Sequence, residues 1–133
     1  MDTKLSYQQI NEKEFTIGDN RISLLDNSTV YIEVVGEQTD EHAREILKLY
    51  PRLYSELPGK INQLVNLNRS GKSSPKARQV YEEMNNNERT YKVAVYGIHP
   101  VARVLAAFVT GLSGKKNIEF FTNKEDAMAW LKK

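Results

Sequence analysis

Alternating strand and helix patterns in the C-terminal half of the chain constrain its fold most strongly. Residues 91–97 have the apolar pattern of a buried strand, and residues 99–112 follow as a helix with few polar side chains. Residues 118–121 predict a second strand, and residues 122–131 predict a short helix. Strands and helices that alternate at this spacing are typical of parallel βαβ units, so this half predicts an α/β fold.

The N-terminal half predicts an antiparallel lead to the same sheet. Short strand-like stretches at 15–17, 21–25 and 29–35 are separated by tight turns, which favours antiparallel pairing of consecutive strands. Residues 1–14 are polar and charged, and we interpret them as a flexible lead-in. The expected organisation is therefore a lead-in over residues 1–14 and a single domain over residues 15–133.

The middle of the chain adds two further helices. Apolar spacing predicts a helix over 39–57, and Pro51 inside it is expected to kink or split it because proline lacks a backbone donor. A strand is predicted at 61–67 and a polar loop at 68–74. Ser74-Pro75 then begins another helix, with the capping residue first and proline at the opening position. The complete pattern predicts a mixed, mostly parallel sheet with an antiparallel N-terminal lead and four helices.

The composition argues against several kinds of site. The chain has 133 residues and no cysteine, which excludes disulfides, thiolate metal sites and cysteine nucleophiles. Its net charge of +2 is too small to indicate nucleic-acid binding. No apolar run approaches the roughly 20 residues that span a bilayer, and the N-terminus lacks the apolar core of a signal peptide. We therefore expect a cytoplasmic protein without a metal or other cofactor.

Five residues of types that often mark a site have simpler explanations. His42 and His99 lie in different predicted elements, and each is expected at the surface rather than in catalysis or metal binding. Thr122 and Glu125 are expected to form a capping box at the start of the last helix. Trp130 is expected to anchor that helix in the core.

The predicted loop and the start of the helix after it have a pronounced positive charge. Ser73 and Ser74 lie there beside the backbone donors of a helix N-terminus, which attract anions together with nearby cations. A phosphate on either serine would be stabilised in the same way. The alternative is a solvated loop whose serines only cap the helix. The four cations, with no acidic residue among them, are Arg69, Lys72, Lys76 and Arg78.

The same loop contains part of a nucleotide-binding motif. Gly71-Lys72-Ser73 follows a predicted strand and precedes a helix, as in a phosphate-binding loop. The complete motif needs a glycine at position 66, where this chain has Asn66, and no later strand ends in an aspartate that could hold magnesium. We therefore do not expect nucleotide hydrolysis, and we expect a protein that is not an enzyme.

The predicted helix over 101–112 is apolar on nearly all sides. Its clearly polar side chains are Arg103 and Thr110. A helix of this kind is normally buried on all sides, which in a small domain implies an apolar small molecule, a membrane surface, a protein partner or a second copy of the chain. The alternative is ordinary core packing with alanines at the surface. The residues expected on this surface are Val101, Val104, Leu105, Phe108, Val109 and Leu112.

Four segments in the same order resemble the SpoIIAA-like branch of the STAS domains, a group also linked with CRAL-TRIO/Sec14-type lipid-binding proteins. They are residues 34–39, 73–78, 92–97 and 120–131. The last is the most specific of them, although none is a catalytic signature. The resemblance covers about residues 15–133 and implies a mixed sheet backed by four helices.

This resemblance also implies two kinds of function. In the anti-sigma-factor antagonists of the superfamily, a serine at the start of the helix after the third strand is phosphorylated to switch partners, and Ser73 or Ser74 corresponds to it. The acidic residue usual beside that serine is absent, since Asn66 and Asn68 stand where the loop leaves the strand. In the lipid-binding relatives, an apolar ligand lies between the sheet and movable helices.

The sequence thus predicts a non-catalytic binding or regulatory module. Its surface at 101–112 is expected to engage an apolar ligand, a membrane surface or a protein partner. The alternative is a phosphorylation-controlled, partner-switching protein that acts through Ser73 or Ser74. Either function is expected in the cytoplasm, with peripheral association to a membrane as one option, and a homodimer is a further option.

Overall fold

The computed structural model describes residues 5–26, 28–97 and 117–133. The predicted helix at 101–112 therefore lies outside the described residues, which contain three helices. In chain order the elements are β1 (Gln8–Asn11), β2 (Glu14–Ile17), β3 (Asn20–Leu24), β4 (Thr29–Gln38), α1 (Asp40–Glu56), β5 (Ile61–Ser73), α2 (Pro75–Asn86), β6 (Thr90–Tyr96), β7 (Ile118–Phe121) and α3 (Lys124–Leu131).

All seven described strands form one sheet in which the spatial order equals the chain order. The pairs from β1 to β4 are antiparallel, and the pairs from β4 to β7 are parallel. The predicted α/β class, antiparallel lead and mixed sheet are confirmed. The two kinds of pair are equal in number among the described strands, so the sheet is less dominated by parallel pairs than predicted.

Part of this difference comes from β1, which lies inside the segment interpreted as a flexible lead-in. Contacts to α1 hold it: the backbone N–H of Tyr7 donates to Glu45 at 2.9 Å, and Arg52 donates to the side chain of Gln9 at 2.9 Å. The apolar residues of this segment are too sparse to predict a strand from sequence. The division of the chain at residue 15 stays a prediction.

The two faces of the sheet carry different helices. Residues that alternate along a strand point to opposite faces, so Val30 and Ile32 lie on one face and Tyr31 on the other. The first face packs against α1 and α2 in the larger core, which includes Phe15 and Leu49. The second face packs against α3 through Leu64, Ala94, Tyr96, Ala127 and Leu131, with Trp130 packed beside them.

Helix α1 is not split at Pro51, contrary to one of the two expected outcomes. The helix runs from Asp40 to Glu56, and the proline ring lies on its exposed side. Burial of Ile46 and Leu53 on the opposite side holds both halves of the helix against the sheet. Packing of an apolar face supplies most of a helix's stability in a protein, which offsets one missing backbone donor.

His42 is buried rather than exposed, so its predicted surface position is wrong. Only 7% of the residue is accessible to solvent. Its ring Nδ1 lies 3.0 Å from the backbone N of Thr39, and the His42 N–H donates in turn to the Thr39 hydroxyl. The imidazole takes the place of the glutamate or glutamine of a capping box. Burial lowers the pKa of His42 below its ordinary value.

Candidate functional site

Ser73 and Ser74 lie where β5 ends and α2 begins. Ser74 is the N-cap of α2, and its hydroxyl accepts a hydrogen bond from the Ala77 N–H at 3.1 Å. Pro75 occupies the first turn, as predicted from the sequence. The backbone N–H of Ser74 donates to the Gln38 carbonyl at 2.8 Å, which ties the start of α2 to the end of β4.

The segment at 68–74, predicted as a polar loop, is a strand as far as Ser73. Residues 69–73 of β5 pair with residues 35–38 of β4, with two irregularities along the pairing from residue 33 onward. The prediction was wrong because the segment is polar on both sides and has no apolar alternation. It is a strand because β4 is long enough to pair with it as far as Ser73. Among the described strands, β6 pairs with β5 only as far as Asn66, so the remainder of β5 pairs with β4 alone.

Gly71 allows this close pairing. A Cβ at this position would lie 3.1 Å from the Gly36 carbonyl carbon and 3.2 Å from the Glu37 nitrogen. The glycine is therefore explained by the approach of two backbones. The extended backbone of Gly71-Lys72-Ser73 also does not wrap around a phosphate, which agrees with the missing glycine at position 66.

A buried pair of side-chain amides, those of Asn20 and Gln38, stabilises the end of β4. The Asn20 amide donates to the Gln38 side-chain oxygen at 2.7 Å, and the Tyr81 hydroxyl of α2 donates to the same oxygen at 3.1 Å. Asn20 also accepts from the Val35 N–H at 2.8 Å. Since the Gln38 carbonyl binds Ser74, this network connects the start of α2 with β3, β4 and the body of the same helix.

The charges around the start of α2 divide into two groups. The Arg78 guanidinium donates to the Ser73 carbonyl at 2.6 Å, and Arg69 lies 4.0 Å from the Glu33 carboxylate. Lys72 and Lys76 are exposed and form no ion pair with any carboxylate of the described residues. Two of the four predicted cations thus have partners in the protein. Their binding of an anion stays a prediction.

Helix α2 differs from its neighbours in the charge of its first turn. Acidic residues occupy the first turn of α1 and of α3, but no acidic residue lies in the first turn of α2. Acidic side chains there normally offset the positive end of the helix dipole. The start of α2 therefore remains electropositive.

A polar cluster that the sequence did not indicate lies on the α3 face, where Tyr96 ends β6 and Asn66 lies in the middle of β5. The Asn66 amide donates to the Tyr31 hydroxyl at 3.1 Å and accepts from the Asn68 N–H at 2.9 Å. Asn66 is paired with Tyr96 in the sheet. Burial raises the pKa of Tyr96, and a hydrogen bond with Tyr31 and the charge of Glu33 add to this effect.

Only Tyr96, the last residue of β6, could have indicated this cluster from the sequence, because Tyr31 lies near the start of β4 and Asn66 in the middle of β5. Carboxyl ends of neighbouring parallel strands meet at one edge, which is where binding sites in such sheets are found. The cluster lies on the α3 face, whereas the start of α2 belongs to the opposite face, so the two polar groups are separated by the sheet.

The space between the sheet and the helices α1 and α2 is too small for an apolar ligand. The cavity there measures about 10 Å³ and takes about one water molecule. Its walls include Ile22, Leu49 and Tyr50. A fatty acyl chain would enter only if α1 or α2 moved. The predicted apolar surface, Val101, Val104, Leu105, Phe108, Val109 and Leu112, lies outside the described residues.

Two further kinds of site are absent from the part of the chain that the structure describes. No group of three or more histidine, aspartate or glutamate side chains is placed to hold a metal ion there. No helix in those ranges is long and apolar enough to cross a membrane.

Comparison with known proteins gives a family and a set of similar structures. A family model described as SpoIIAA-like matches residues 29–132. An uncharacterised protein of the DUF3478 family with a SpoIIAA-like fold, from Shewanella loihica PV-4, is similar with a TM-score of 0.66 and 16% identity, over 98% of each chain. No curated protein matches the chain.

Two further similar structures are of SpoIIAA itself. The anti-sigma factor antagonist SpoIIAA in its unphosphorylated form has a TM-score of 0.61 and 13% identity, over 85% of this chain and 97% of that one. The phosphorylated form of the Bacillus cell fate determinant SpoIIAA has a TM-score of 0.55 and 14% identity, over 84% of this chain and 98% of that one. At these identities the likeness shows a shared fold, and it confirms the resemblance to SpoIIAA-like domains.

Proposed function

We propose that this chain, which belongs to the SpoIIAA-like family, is a non-catalytic regulatory protein that binds a protein partner at the start of α2. In this proposal, phosphorylation of Ser74 or Ser73 changes which partner is bound. The observation that carries the proposal is the position of Ser74 as the N-cap of a helix whose first turn contains no acid. The existence of a phosphorylated form of the similar SpoIIAA structure supports it.

The electrostatics of the site favour an added phosphate. Ser74 already points an oxygen at the Ala77 N–H, so phosphate oxygens would extend an existing interaction with the positive end of α2. Lys76 lies in the same turn and Lys72 lies at the end of β5, both without an ion-pair partner in the described ranges. A phosphate here gains attraction and meets no nearby acid in the first turn.

The two serines differ in what they lose on modification. The Ser74 hydroxyl serves as the helix cap, whereas the Ser73 hydroxyl makes no hydrogen bond among the described residues and the Ser73 carbonyl accepts from Arg78. Ser73 is therefore the freer hydroxyl, and Ser74 is the better placed one for the helix dipole. Both are half-buried, so a kinase needs only a modest local opening to reach either.

The test begins with the protein isolated from its own cells. Mass spectrometry of the intact chain and of the peptide that contains both serines is expected to show a phosphorylated fraction. That fraction should disappear in either Ser73→Ala or Ser74→Asn, which identifies the acceptor. The proposal would be contradicted if the chain carried no phosphate under any growth condition and if a charge introduced at either serine changed no partner interaction.

A second candidate function rests on the segment at 101–112. Its apolar sequence supports an apolar ligand, a membrane surface, a protein partner or a second copy of the chain as its occupant. Native mass spectrometry of protein expressed in cells, followed by organic extraction, separates these outcomes. A co-purifying fatty acid would favour a ligand, and a dimer would favour self-association. A bare monomer that takes up neither fatty acids nor liposomes would argue against a ligand, a membrane surface and self-association.

A further inference from the structure

A group of lysines and aromatic rings lies at the amino ends of the parallel strands, on the edge opposite the start of α2. Lys60 immediately precedes β5, Tyr91 and Lys92 lie near the start of β6, and Trp130 lies near the end of α3. We call these four residues the amino-edge patch. None of them has a role in the function proposed above.

The patch presents an aromatic ring between two cations. Lys60 Nζ lies 4.8 Å from the centre of the Tyr91 ring, and Lys92 Nζ lies 5.6 Å from it. Lys92 Nζ is also 5.2 Å from the centre of the Trp130 ring and donates to the Trp130 carbonyl at 3.1 Å. Tyr91 is 47% exposed, and every other aromatic residue that the structure describes is more buried.

The positive charge of this region is not neutralised within the described residues. Lys132 and Lys133 follow Trp130 after one intervening residue, Leu131, and are exposed. Neither they nor Lys60 and Lys92 form an ion pair there, whereas Lys48 pairs with a glutamate on its own helix at 3.0 Å. Two lysines beside the aromatic rings and two more at the end of α3 are thus left to attract an external anion.

We propose that the amino-edge patch docks the protein on an anionic membrane surface. Tyrosine and tryptophan are enriched where lipid meets water, because one end of each ring is apolar and the other is polar. Lysines are attracted by the negative surface potential of anionic lipids. Protein interfaces are instead depleted of lysine and enriched in arginine, so the composition of the patch favours lipid over an acidic protein.

The chain contains its own reporter for this interaction, since Trp130 is its only tryptophan. The full-length protein is titrated with vesicles of phosphatidylcholine alone and with vesicles of equimolar phosphatidylcholine and phosphatidylglycerol. With the anionic vesicles we expect co-sedimentation, a blue shift of Trp130 emission and quenching by brominated lipid. With the neutral vesicles we expect none of these, and the response should weaken as salt is added.

A matched pair of double variants identifies the surface. Lys60→Glu/Lys132→Glu changes the charge at the patch and at the adjoining end of α3, and Lys72→Glu/Lys76→Glu changes it equally at the start of α2. All four lysines are exposed, so both proteins should fold, which circular dichroism checks. The first variant is expected to lower the partition coefficient about tenfold or more, and the second by much less. Tyr91→Ala should weaken binding without any change of charge.

Three results would overturn the proposal. One is the absence of binding to anionic vesicles at low salt. Another is vesicle binding that leaves Trp130 emission unchanged, or vesicle binding that both double variants weaken equally. Either result would assign the binding to net charge or to another surface. The third is a Trp130 shift caused by polyglutamate but by neither kind of vesicle, which would assign the patch to an acidic polypeptide.

Discussion

At the scale of single residues, Ser74 connects the stability of α2 with the surface that we propose is regulated. Replacing an N-cap serine by alanine leaves a backbone donor unpaired, so Ser74→Ala is expected to lower the free energy of unfolding by about 1 kcal/mol. Ser74→Asn keeps an acceptor and should cost far less. Urea unfolding measures both. An equal loss from Ser73→Ala, which removes no described hydroxyl contact, would contradict this account.

His42 gives the fold a pH dependence of known sign. Because burial holds its pKa below the ordinary value of about 6.5, the unfolded chain binds a proton at a higher pH than the folded protein does. Stability is therefore complete above this value and falls as the pH decreases through it toward the folded pKa.

Urea unfolding between about pH 7 and about pH 5 checks this dependence. The wild type is expected to lose stability over the interval, and His42→Gln should show a shallower decline, since glutamine can accept from the Thr39 N–H without titrating. The reverse order of slopes would show that His42 is protonated in the fold.

The N-cap of a helix was predicted correctly where only one residue at the start of the helix could cap it. Ser74 followed by Pro75 leaves one choice of cap, and the structure has it. At α3 the expected cap, Thr122, competes with a neighbour, and Asn123 takes the position by accepting from the Asp126 N–H at 2.8 Å. The sequence does not show which of two adjacent capping residues becomes the N-cap, because this depends on the direction in which the chain leaves β7.

At the scale of elements, the long β4–β5 pairing positions the start of α2. Gly71→Ala would place a methyl group about as close to the Gly36 backbone as any contact allows, and backbone atoms there cannot rotate away. We expect a loss of about 1–3 kcal/mol in unfolding free energy.

Hydrogen exchange locates the effect of this substitution. Amides of residues 35–38 should exchange faster in Gly71→Ala, because their pairing with residues 69–73 is disturbed. Lys72→Ala, the adjacent exposed residue, should leave both stability and exchange unchanged. Normal protection of residues 35–38 in Gly71→Ala would show that the two backbones can separate without cost.

The end of α1 depends on one side chain from a distant segment. Arg89 donates to the carbonyls of Tyr54 and Leu57 and, at 3.0 Å, to that of Gly59. Arg89→Ala leaves these carbonyls without that donor and is expected to cost about 2 kcal/mol. Arg89→Lys should recover only part of this, since an ammonium group lacks the planar fork that reaches several acceptors. Full recovery with lysine would show that charge alone matters.

Elements were predictable from sequence to the extent that their apolar pattern was complete. The strand ending at Tyr96 and the one at Ile118–Phe121 are nearly continuous apolar runs, and both were found. Strand β1 is exposed at every residue, and the end of β5 is polar on both sides, so neither has an alternation to detect. Both owe their order to a partner strand, which local sequence does not contain.

At the scale of the whole molecule, the sheet separates two positively charged regions. The carboxyl edge carries the start of α2 with Lys72 and Lys76, which form no ion pair within the described ranges, and the amino edge carries the patch around Tyr91 and Trp130. A protein that met a membrane at the amino edge would hold the start of α2 away from it, accessible to a partner. The fold class and family were predictable because four short segments occur in the family's order, whereas the roles of the edges depend on which strands are neighbours.

The central claim is that charge at the start of α2 selects a protein partner. It is tested most directly by comparing Ser74→Asp with Ser74→Asn in the native host, since both substitutions keep a cap acceptor and differ chiefly in charge. Crosslinking followed by mass spectrometry should give a partner joined to residues near α2 in one variant and reduced at least severalfold in the other. Identical partners with identical occupancy in both variants would contradict the account.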